Sequence, residues 1–301
     1  MRLHLPAGSA AGDGGAELVR VTPATAGWAH AGLRVLRLAA GEAYELVTGD
    51  DEAVVLPLRG GAVVECEGRR FALDGRTGVF DRVTDFAYLP RDAEARITAP
   101  AGGEFAVPLA RSNRRLDPAY GPAAAVPVEV RGAGQATRQV NNFCAPGAFE
   151  TDKLSAVEVL TPDGNWSSYP PHKHDEPAPG EAVLEEIYYF RLGGGPAAFG
   201  LHRTYTADGA IDATVTVRDG DVFLIPRGYH GPSAAAPGYP MYYLNVLAGP
   251  AAERTMAFRD DPDHHWVRES WAGQAADPRV PLTTAVGRTD RGDAMPWEPS
   301  G

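Results

Sequence analysis

Two histidines lie one residue apart, directly after a double proline, in the segment YPPHKHDE at residues 169–176. Alternate side chains of an extended strand face the same way, so His172 and His174 share one face and Lys173 lies on the other. Each neutral imidazole offers one nitrogen lone pair, so such a pair can supply half of a transition-metal site. On its own the pair fits two ordinary polar residues better than two ligands, and the interpretation depends on which other residues could join them.

A pair of glutamates opens the apolar segment LEEIYYF at residues 184–190. In a strand, Glu186 and Tyr188 face one side and Glu185 faces the other, so one of the two carboxylates is expected to point into the interior. A carboxylate that is buried beside apolar side chains needs a partner, and a metal ion is a suitable one. The segment is therefore predicted to contribute an oxygen ligand.

Two later segments add further polar groups. The segment GDVFLIPRGYH at residues 220–230 fits a strand that leaves a turn, passes a proline–glycine corner and ends at His230. The segment MYYLN at residues 241–245 puts Tyr243 and Asn245 on one strand face. Together with the paired histidines and the glutamate, these residues make a metal site the better interpretation.

The order of these motifs, H-x-H, then Glu, then G-x5-P-x-G-x-H, resembles the pattern of cupins, which are small β-barrels that hold a divalent metal with three histidines and one glutamate. The resemblance implies one ion, whose ligands would be His172, His174, Glu186 and His230. Glu186 is chosen over Glu185 because the cupin ligand directly precedes the apolar residue that starts the strand. Residues 175–184 lengthen the gap after the histidines and are expected to form an inserted loop at the barrel mouth. A mixed nitrogen and oxygen ligand set suits zinc, manganese, iron(II) or nickel, and the sequence does not choose among them.

The rest of the chain predicts an all-β fold that can position these residues. Gly and Pro number 35 and 26 in 301 residues, and turns recur about every ten residues, a spacing typical of sandwiches and barrels. Three parts are predicted: a first cupin-like jelly-roll barrel at residues 1–125, a metal-binding cupin barrel at 126–275 and a polar tail at 276–301. The first barrel has Glu52 where a ligand glutamate would be, but it lacks the histidine motifs, so it is predicted to bind no metal.

Composition excludes some classes of partner. The formal net charge is −11, from 39 acidic and 28 basic residues, and such a surface repels polyphosphate, so no nucleic-acid partner is expected. The two cysteines, Cys66 and Cys144, lack the spacing of a metal or redox motif. No signal-peptide pattern and no apolar run of bilayer length are found, so a cytoplasmic protein without membrane attachment is predicted.

A closer resemblance covers nearly the whole chain. It rests on WSSYPPHKHD, LEEIYYFR, PRGYHG, YYLNVLAGP, VNNF and DDPDHHW in the second half, and on TGDDEAVVLPLRG and VFDRVTDFAYLP in the first half. These segments resemble the 5-deoxy-glucuronate isomerases of myo-inositol catabolism, which are bicupins with a metal in the C-terminal barrel only. The resemblance implies conversion of 5-deoxy-D-glucuronate to 5-dehydro-2-deoxy-D-gluconate, with a small anionic sugar acid as partner. We also expect a homo-oligomer.

The implied aldose–ketose shift moves a proton between adjacent carbons through an enediolate, whose charge a divalent ion would stabilise. It also requires a proton shuttle and a cation for the substrate carboxylate. The candidates for the shuttle are Tyr188, Tyr243, Lys173 and, if it is turned inward, Glu185; the candidates for substrate binding are Arg203, Arg227 and Asn245. Each tyrosine also fits a packed core position, and each arginine a surface position. Since His202 and Arg203 are neighbours in one strand, only one of them can line the cavity.

Other functions fit the same pattern. The ligand set would also serve a cupin dioxygenase, which consumes O2 and commonly has an apolar pocket, or a cupin that only binds a sugar or a metal. A related uronate ketol-isomerase is a further alternative, since a sister family performs a similar shift on the deoxy-uronate from pectin. The tyrosine, arginine and histidine content of the strands favours the sugar-acid isomerase over the dioxygenase.

Overall fold

The computed structural model describes residues 2–292, which form antiparallel strands with only short helices. Helix α1 spans Pro23–Ala26 and α2 spans Trp266–Ser270, and single 3-10 turns lie at Ala123–Ala125 and Trp271–Gly273. The predicted all-β fold is confirmed. Within residues 2–292, none of the helices has the length and apolar character needed to cross a membrane.

The first half of the chain builds a strongly bent sheet. Its strands are β1 (His4–Leu5), β2 (Glu17–Val21), β3 (Ala31–Leu38), β4 (Ala43–Val47), β5 (Asp51–Cys66), β6 (Arg69–Arg76), β7 (Phe86–Leu89), β8 (Glu94–Thr98), β9 (Gly103–Arg111) and β10 (Ala119–Gly121). Strands β2 to β10 form one nine-stranded sheet, because the long β5 pairs with β7 and β9 near its start and with β6 and β8 near its end. The β5–β6 hairpin turns at Glu67 and Gly68, both left-handed (φ 51 and 73°), as a tight two-residue hairpin requires.

The second half builds two facing sheets. Its strands are β11 (Val128–Arg131), β12 (Arg138–Cys144), β13 (Ser155–Thr161), β14 (Trp166–Ser167), β15 (His172–Lys173), β16 (Asp175–Ala178), β17 (Glu181–Val183), β18 (Glu185–Leu192), β19 (Gly200–Tyr205), β20 (Asp212–Val217), β21 (Val222–Ile225), β22 (Tyr229–Ala235), β23 (Met241–Ala248), β24 (Arg259–Asp260), β25 (Thr283–Thr284) and β26 (Gly287–Arg288). One sheet runs β1-β21-β18-β23-β13-β12-β11, and the other runs β20-β19-β22-β15-β24 with β14 attached to β22. The predicted insertion at residues 175–184 forms the separate β16–β17 hairpin.

The N-terminal strand belongs to the second half's sheet. Residues 1–125 are predicted as the first barrel, but β1 pairs with β21, with Leu5 opposite Val222. The His4 Nε2 atom lies 2.8 Å from a carboxylate oxygen of Asp221. A two-residue strand has no periodic pattern, so its partner is decided by this long-range contact and cannot be read from local sequence.

Strand β18 shows how the two halves share a core. Ile187 and Tyr189 face the first half and pack in one cluster with side chains of β3, β5 and β9, such as Val35 and Leu56. The alternate residues, including Tyr188, face the other way, into the space between the two sheets of the second half. The central sheet is therefore buried on both faces, and its inner face is available to build a site.

Two carboxylates join the halves in a reciprocal way. Glu52, at the start of β5, accepts three hydrogen bonds of 2.6–2.8 Å from the backbone N–H groups of residues 152–154 and a fourth from the Tyr88 hydroxyl. Glu185, at the start of β18, accepts three hydrogen bonds of 2.7–2.8 Å from the backbone N–H groups of residues 29–31. Both glutamates thus satisfy backbone donors that would otherwise lack partners.

The predicted polar tail is tied to both halves as far as the structure describes it. Leu282 is fully buried in the shared core, and Val280 is also buried. The backbone N–H groups of Leu282 and Thr283 donate to the side-chain oxygen of Gln139 on β12. Residues 293–301, which include Trp297, lie outside the described residues.

Candidate metal centre

Three buried side chains converge between the two sheets of the second half. Glu186 is the second residue of β18, His230 is the second of β22, and His174 directly follows β15. The Nε2 atoms of His174 and His230 each lie 3.0 Å from the same oxygen, Oε2 of Glu186. The ligand atoms all lie within 4.8 Å of one another. Two nitrogens and an oxygen brought together in this way are a donor set for a transition metal.

Backbone carbonyls fix the orientation of the imidazoles. The Nδ1 atoms of His174 and His230 lie 3.1 and 3.3 Å from the carbonyl oxygens of Leu184 and Gly228. A proton on Nδ1 that is held by a carbonyl leaves the Nε2 lone pair free, which is the usual arrangement for histidines that bind a metal. The Nε2 atom of His230 is buried and has no hydrogen-bond partner among the described residues. A cation at this point would satisfy it, so the residues fit a metal.

His172 lies beside this trio. Its ring centroid is 4.4 Å from that of His230 and 6.3 Å from that of His174. The ring centroid of Phe258 lies 4.6 Å from that of His172. Burial, together with the two neighbouring imidazoles, holds the pKa of His172 well below its usual value, so the ring is neutral and its lone pair is available. The geometry groups three of the four predicted ligands closely, and the role of His172 as the fourth stays a prediction.

The pKa shifts of Glu186 and His174 fit a pair that shares a proton in the absence of a metal. Burial alone would raise the pKa of Glu186, but the adjacent imidazoles of His230 and His174 lower it below its usual range. Burial alone would lower the pKa of His174, but the hydrogen bond to Glu186 raises it. A carboxylate and an imidazole that share a proton in this way release it when a metal binds.

Two tyrosines stack beside the trio. The rings of Tyr188 and Tyr243 are nearly parallel, with centroids 4.9 Å apart. Their hydroxyls lie 2.8 and 3.1 Å from the hydroxyl of Ser168, which precedes the histidine segment. Burial raises the pKa of both phenols, so each is a neutral hydrogen-bond donor. Ser168, a residue that the sequence reasoning missed, links the two predicted shuttle candidates.

The other two shuttle candidates lie elsewhere. The Lys173 ammonium group is 2.7 and 2.8 Å from carboxylate oxygens of Asp175 and Glu181, on the opposite face of β15. Glu185 faces the first half and binds the backbone of residues 29–31. Neither side chain lines the cavity at the trio. The prediction of Lys173 and Glu185 as catalytic groups is therefore corrected: strand alternation turns both away from the site.

A cavity of about 380 Å3 opens onto the candidate metal ligands, a size within the usual range for a small-molecule site. It is lined by His172, His174, Glu186, Ser168, Tyr243 and Asn245, together with Arg131, Arg138, Asn142, Phe258 and Arg268. The side-chain oxygen of Asn245 is buried and has no hydrogen-bond partner in the described part of the chain. Asn245 is thus placed where the substrate-binding prediction puts it.

Both arginines predicted to bind substrate lie outside this cavity. The Arg203 guanidinium covers the ring of Tyr205 at 4.2 Å and lies 3.7 Å from Asp212. Arg227 is half exposed and lies 3.5 Å from Asp208. Both assignments are corrected: in β19 it is His202, and not Arg203, that faces the interior, where it is fully buried, and Arg227 follows β21 with its side chain half in solvent.

The arginines that do line the cavity come from parts of the chain with no metal motif. Arg138 and Asn142 lie on one face of β12, with Val140 between them on the same face. Arg268 lies on α2, which is in the segment after the last barrel strand. The alternation of RQVNNFC would have placed positions 138, 140 and 142 on one face, but not next to the histidines.

Comparison with known proteins identifies the family of this chain. The sequence model of the KduI/IolB family matches residues 4–267. A protein of Geobacillus kaustophilus named 5-deoxy-glucuronate isomerase is 43% identical over 272 residues, which cover 89% of this chain and 96% of that protein. A Bacillus subtilis protein of the same name is 37% identical over 259 residues, covering 85% and 94% of the two chains.

Solved structures support the fold. An IolB-like protein of Salmonella typhimurium superposes with a TM-score of 0.82 at 35% identity, over 89% of this chain and 99% of that one. An oxalate decarboxylase of Bacillus subtilis superposes with a TM-score of 0.60 at 14% identity, over 86% and 79%, and so shares the cupin fold alone. The predicted cupin architecture is confirmed. The chain belongs to the KduI/IolB family and is an isomerase by class.

Proposed function

We propose that this protein converts 5-deoxy-D-glucuronate to 5-dehydro-2-deoxy-D-gluconate, and that it uses one divalent metal ion to do so. The observation that carries the proposal is the convergence of His174, Glu186 and His230 on one point, where His174 and Glu186 also line a cavity of about 380 Å3. The relatives that bear the name 5-deoxy-glucuronate isomerase match almost their full length in this chain, which supports the choice of substrate. A small anionic sugar acid is the proposed partner; a homo-oligomer and a cytoplasmic location stay predictions.

The candidate ligands would hold the ion, with His172 as the proposed fourth. A bound divalent ion supplies positive charge that stabilises the negative oxygens of an enediolate. Zinc, manganese, iron(II) and nickel all suit the mixed nitrogen and oxygen set formed by these residues. The Nδ1 atoms of the three histidines lie 3.1–3.4 Å from backbone carbonyl oxygens, which restrains the orientation of each ring before a metal binds.

The residues around the ligands of the ion have separate proposed roles. The neutral hydroxyl of Tyr243 lines the cavity and donates a hydrogen bond to the substrate oxygen that gains charge as the proton leaves carbon. The hydroxyl of Ser168 is hydrogen-bonded to the hydroxyls of both Tyr188 and Tyr243, and these contacts keep the Tyr243 hydroxyl oriented. The unpartnered oxygen of Asn245 accepts a hydrogen bond from a substrate hydroxyl. The buried walls exclude water, which strengthens these polar contacts.

The test detects the ketone product directly by NMR. We expect metal-loaded protein in D2O to convert 5-deoxy-D-glucuronate to a product with a new ketone carbon and one deuterium at the adjacent methylene, both visible by NMR. Removal of the metal with a chelator is expected to slow the reaction by about 1,000-fold or more, because the ion supplies several kcal/mol of charge stabilisation. Adding back a divalent ion restores the rate.

Three results would contradict the proposal. Conversion at the full rate after chelation would exclude the metal requirement. Consumption of O2 in step with substrate would indicate a dioxygenase instead. Binding of the sugar acid without formation of a ketone product would indicate a protein that only binds the sugar acid.

A further inference from the structure

Arg138 is a buried cation that has no acidic partner among residues 2–292. Only 5% of the residue is exposed. Its guanidinium donates to the backbone carbonyl of Ala136 at 2.9 Å and lies 5.6 Å from the ring centre of Trp271. No carboxylate among residues 2–292 lies within ion-pair distance of it, whereas the buried Arg76 pairs with Glu158. Burial lowers the pKa of Arg138 to about 10, so at neutral pH the group keeps its full charge.

A buried, unpaired cation is costly unless an anion joins it. Two other arginines line the same cavity, and both already have carboxylate partners. Arg131 makes two bonds of 2.7 and 2.8 Å to Glu129. Arg268 makes two bonds of 2.6 and 2.7 Å to Asp260. Of these three arginines in the cavity wall, Arg138 therefore carries the one positive charge that no carboxylate in the described part of the chain compensates.

The position of this charge suits a substrate with a negative group at one end. Arg138 lines the same cavity as His174 and Glu186, and the same face of β12 that carries Arg138 also carries Val140 and Asn142 into that cavity. Arginine binds carboxylates through a planar fork of N–H donors. The contact with the Trp271 ring and the bond to Ala136 restrain the guanidinium, so little conformational freedom is lost when an anion binds.

We propose that Arg138 is the carboxylate-binding and specificity-determining residue of this site. It binds the carboxylate of the sugar acid and thereby presents the aldehyde end to His174, Glu186 and His230. The inference rests on the proposed function for the identity of the substrate. The presence of a carboxylate subsite in the cavity can be tested without turnover.

The test compares two sugars that differ only in charge. D-glucuronate carries the carboxylate, and D-glucuronamide carries a neutral amide in its place. Calorimetric titration of the metal-loaded protein is expected to show about 10- to 100-fold tighter binding of D-glucuronate, which is the range for hydrogen bonds to charged groups. In Arg138→Gln this preference disappears, while metal content and affinity for D-glucuronamide stay unchanged.

Matched variants complete the test. Arg203→Gln removes an arginine that lies outside the cavity and is expected to keep the full preference. Arg138→Lys retains the charge but loses the planar fork, so it keeps a preference that is reduced about 3- to 10-fold, and it carries the test if Arg138→Gln does not fold. Equal binding of both sugars by the wild type, or a preference that survives unchanged in the Arg138 variants, overturns the inference.

Turnover is measured separately. A charge preference that depends on Arg138, in a protein that produces no ketone from 5-deoxy-D-glucuronate, would uphold the subsite and refute the proposed reaction. Ketone formation with an unchanged kcat/KM in Arg138→Lys and Arg138→Gln would uphold the reaction and refute the subsite.

Discussion

His230→Ala will lose its bound metal and at least about 1,000-fold of its isomerase activity, because the ion supplies several kcal/mol of charge stabilisation. His230 is fully buried, and its Nε2 atom lies 3.0 Å from Glu186 with no hydrogen-bond partner in the described part of the chain. Removing the ring takes away one ligand and leaves the Glu186 charge with a single close imidazole. Metal content by plasma mass spectrometry and NMR turnover are the two measurements.

The control for this variant is His30→Ala, since His30 lies in the first half and outside the cavity. It is expected to keep both metal and activity. The same measurements on His172→Ala test the predicted fourth ligand, which lies beside the trio. An unchanged metal content in His230→Ala would remove the trio as a ligand set, and an unchanged content in His172→Ala would remove that residue from it.

Tyr243→Phe is expected to lower kcat by about 100-fold or more, the usual cost of losing one positioned hydrogen-bond donor to a developing oxyanion, while the metal stays bound. The hydroxyl lines the cavity and is held by Ser168. Its raised pKa, caused first by burial, keeps it a donor across the neutral range. Steady-state kinetics and metal content on the same sample separate a catalytic effect from loss of the ion.

Tyr242→Phe is a matched control, because Tyr242 is the neighbouring buried tyrosine but faces the other side of β23. Its hydroxyl donates to Glu158 in the core between the two halves. We expect that variant to lose stability but to keep its kcat. If Tyr243→Phe turned over as fast as the wild type, the hydroxyl would have no part in the reaction.

The alternation of side chains between the two faces of a strand predicted most of the residues around the candidate metal ligands. It placed Glu186 and Tyr188 on one face of β18 and Glu185 on the other, as the structure shows. The motif order then identified which later histidine, His230, could join them. The structure brings these side chains together because each position depends on local geometry within one strand or on a motif of fixed spacing.

The same rule could not decide which face is the inner one. In β19 it established that only one of His202 and Arg203 lines the interior, but the choice depends on the partners across the sheet. The ring centroids of Phe223 and Tyr188 lie 4.5 and 5.0 Å from that of His202. These contacts arise only when distant strands meet. Arg203 therefore faces outward, and the carboxylate candidate chosen from the sequence was misplaced.

The cavity walls were missed for a related reason. Arg138 is the first residue of β12, and Arg268 lies in a short helix after the last barrel strand. Neither has a motif that links it to the histidines. Only the packing of β12 and α2 around the mouth brings their side chains to the metal ligands.

Three side chains from facing sheets are proposed to hold one divalent ion in the second half of the chain. Anomalous X-ray diffraction from crystals of the metal-loaded protein tests it most directly. We predict a single strong anomalous peak per chain, about 2.0–2.2 Å from Nε2 of His174, Nε2 of His230 and a carboxylate oxygen of Glu186. A peak bound elsewhere, or none at this point in protein that remains fully active, would contradict the claim.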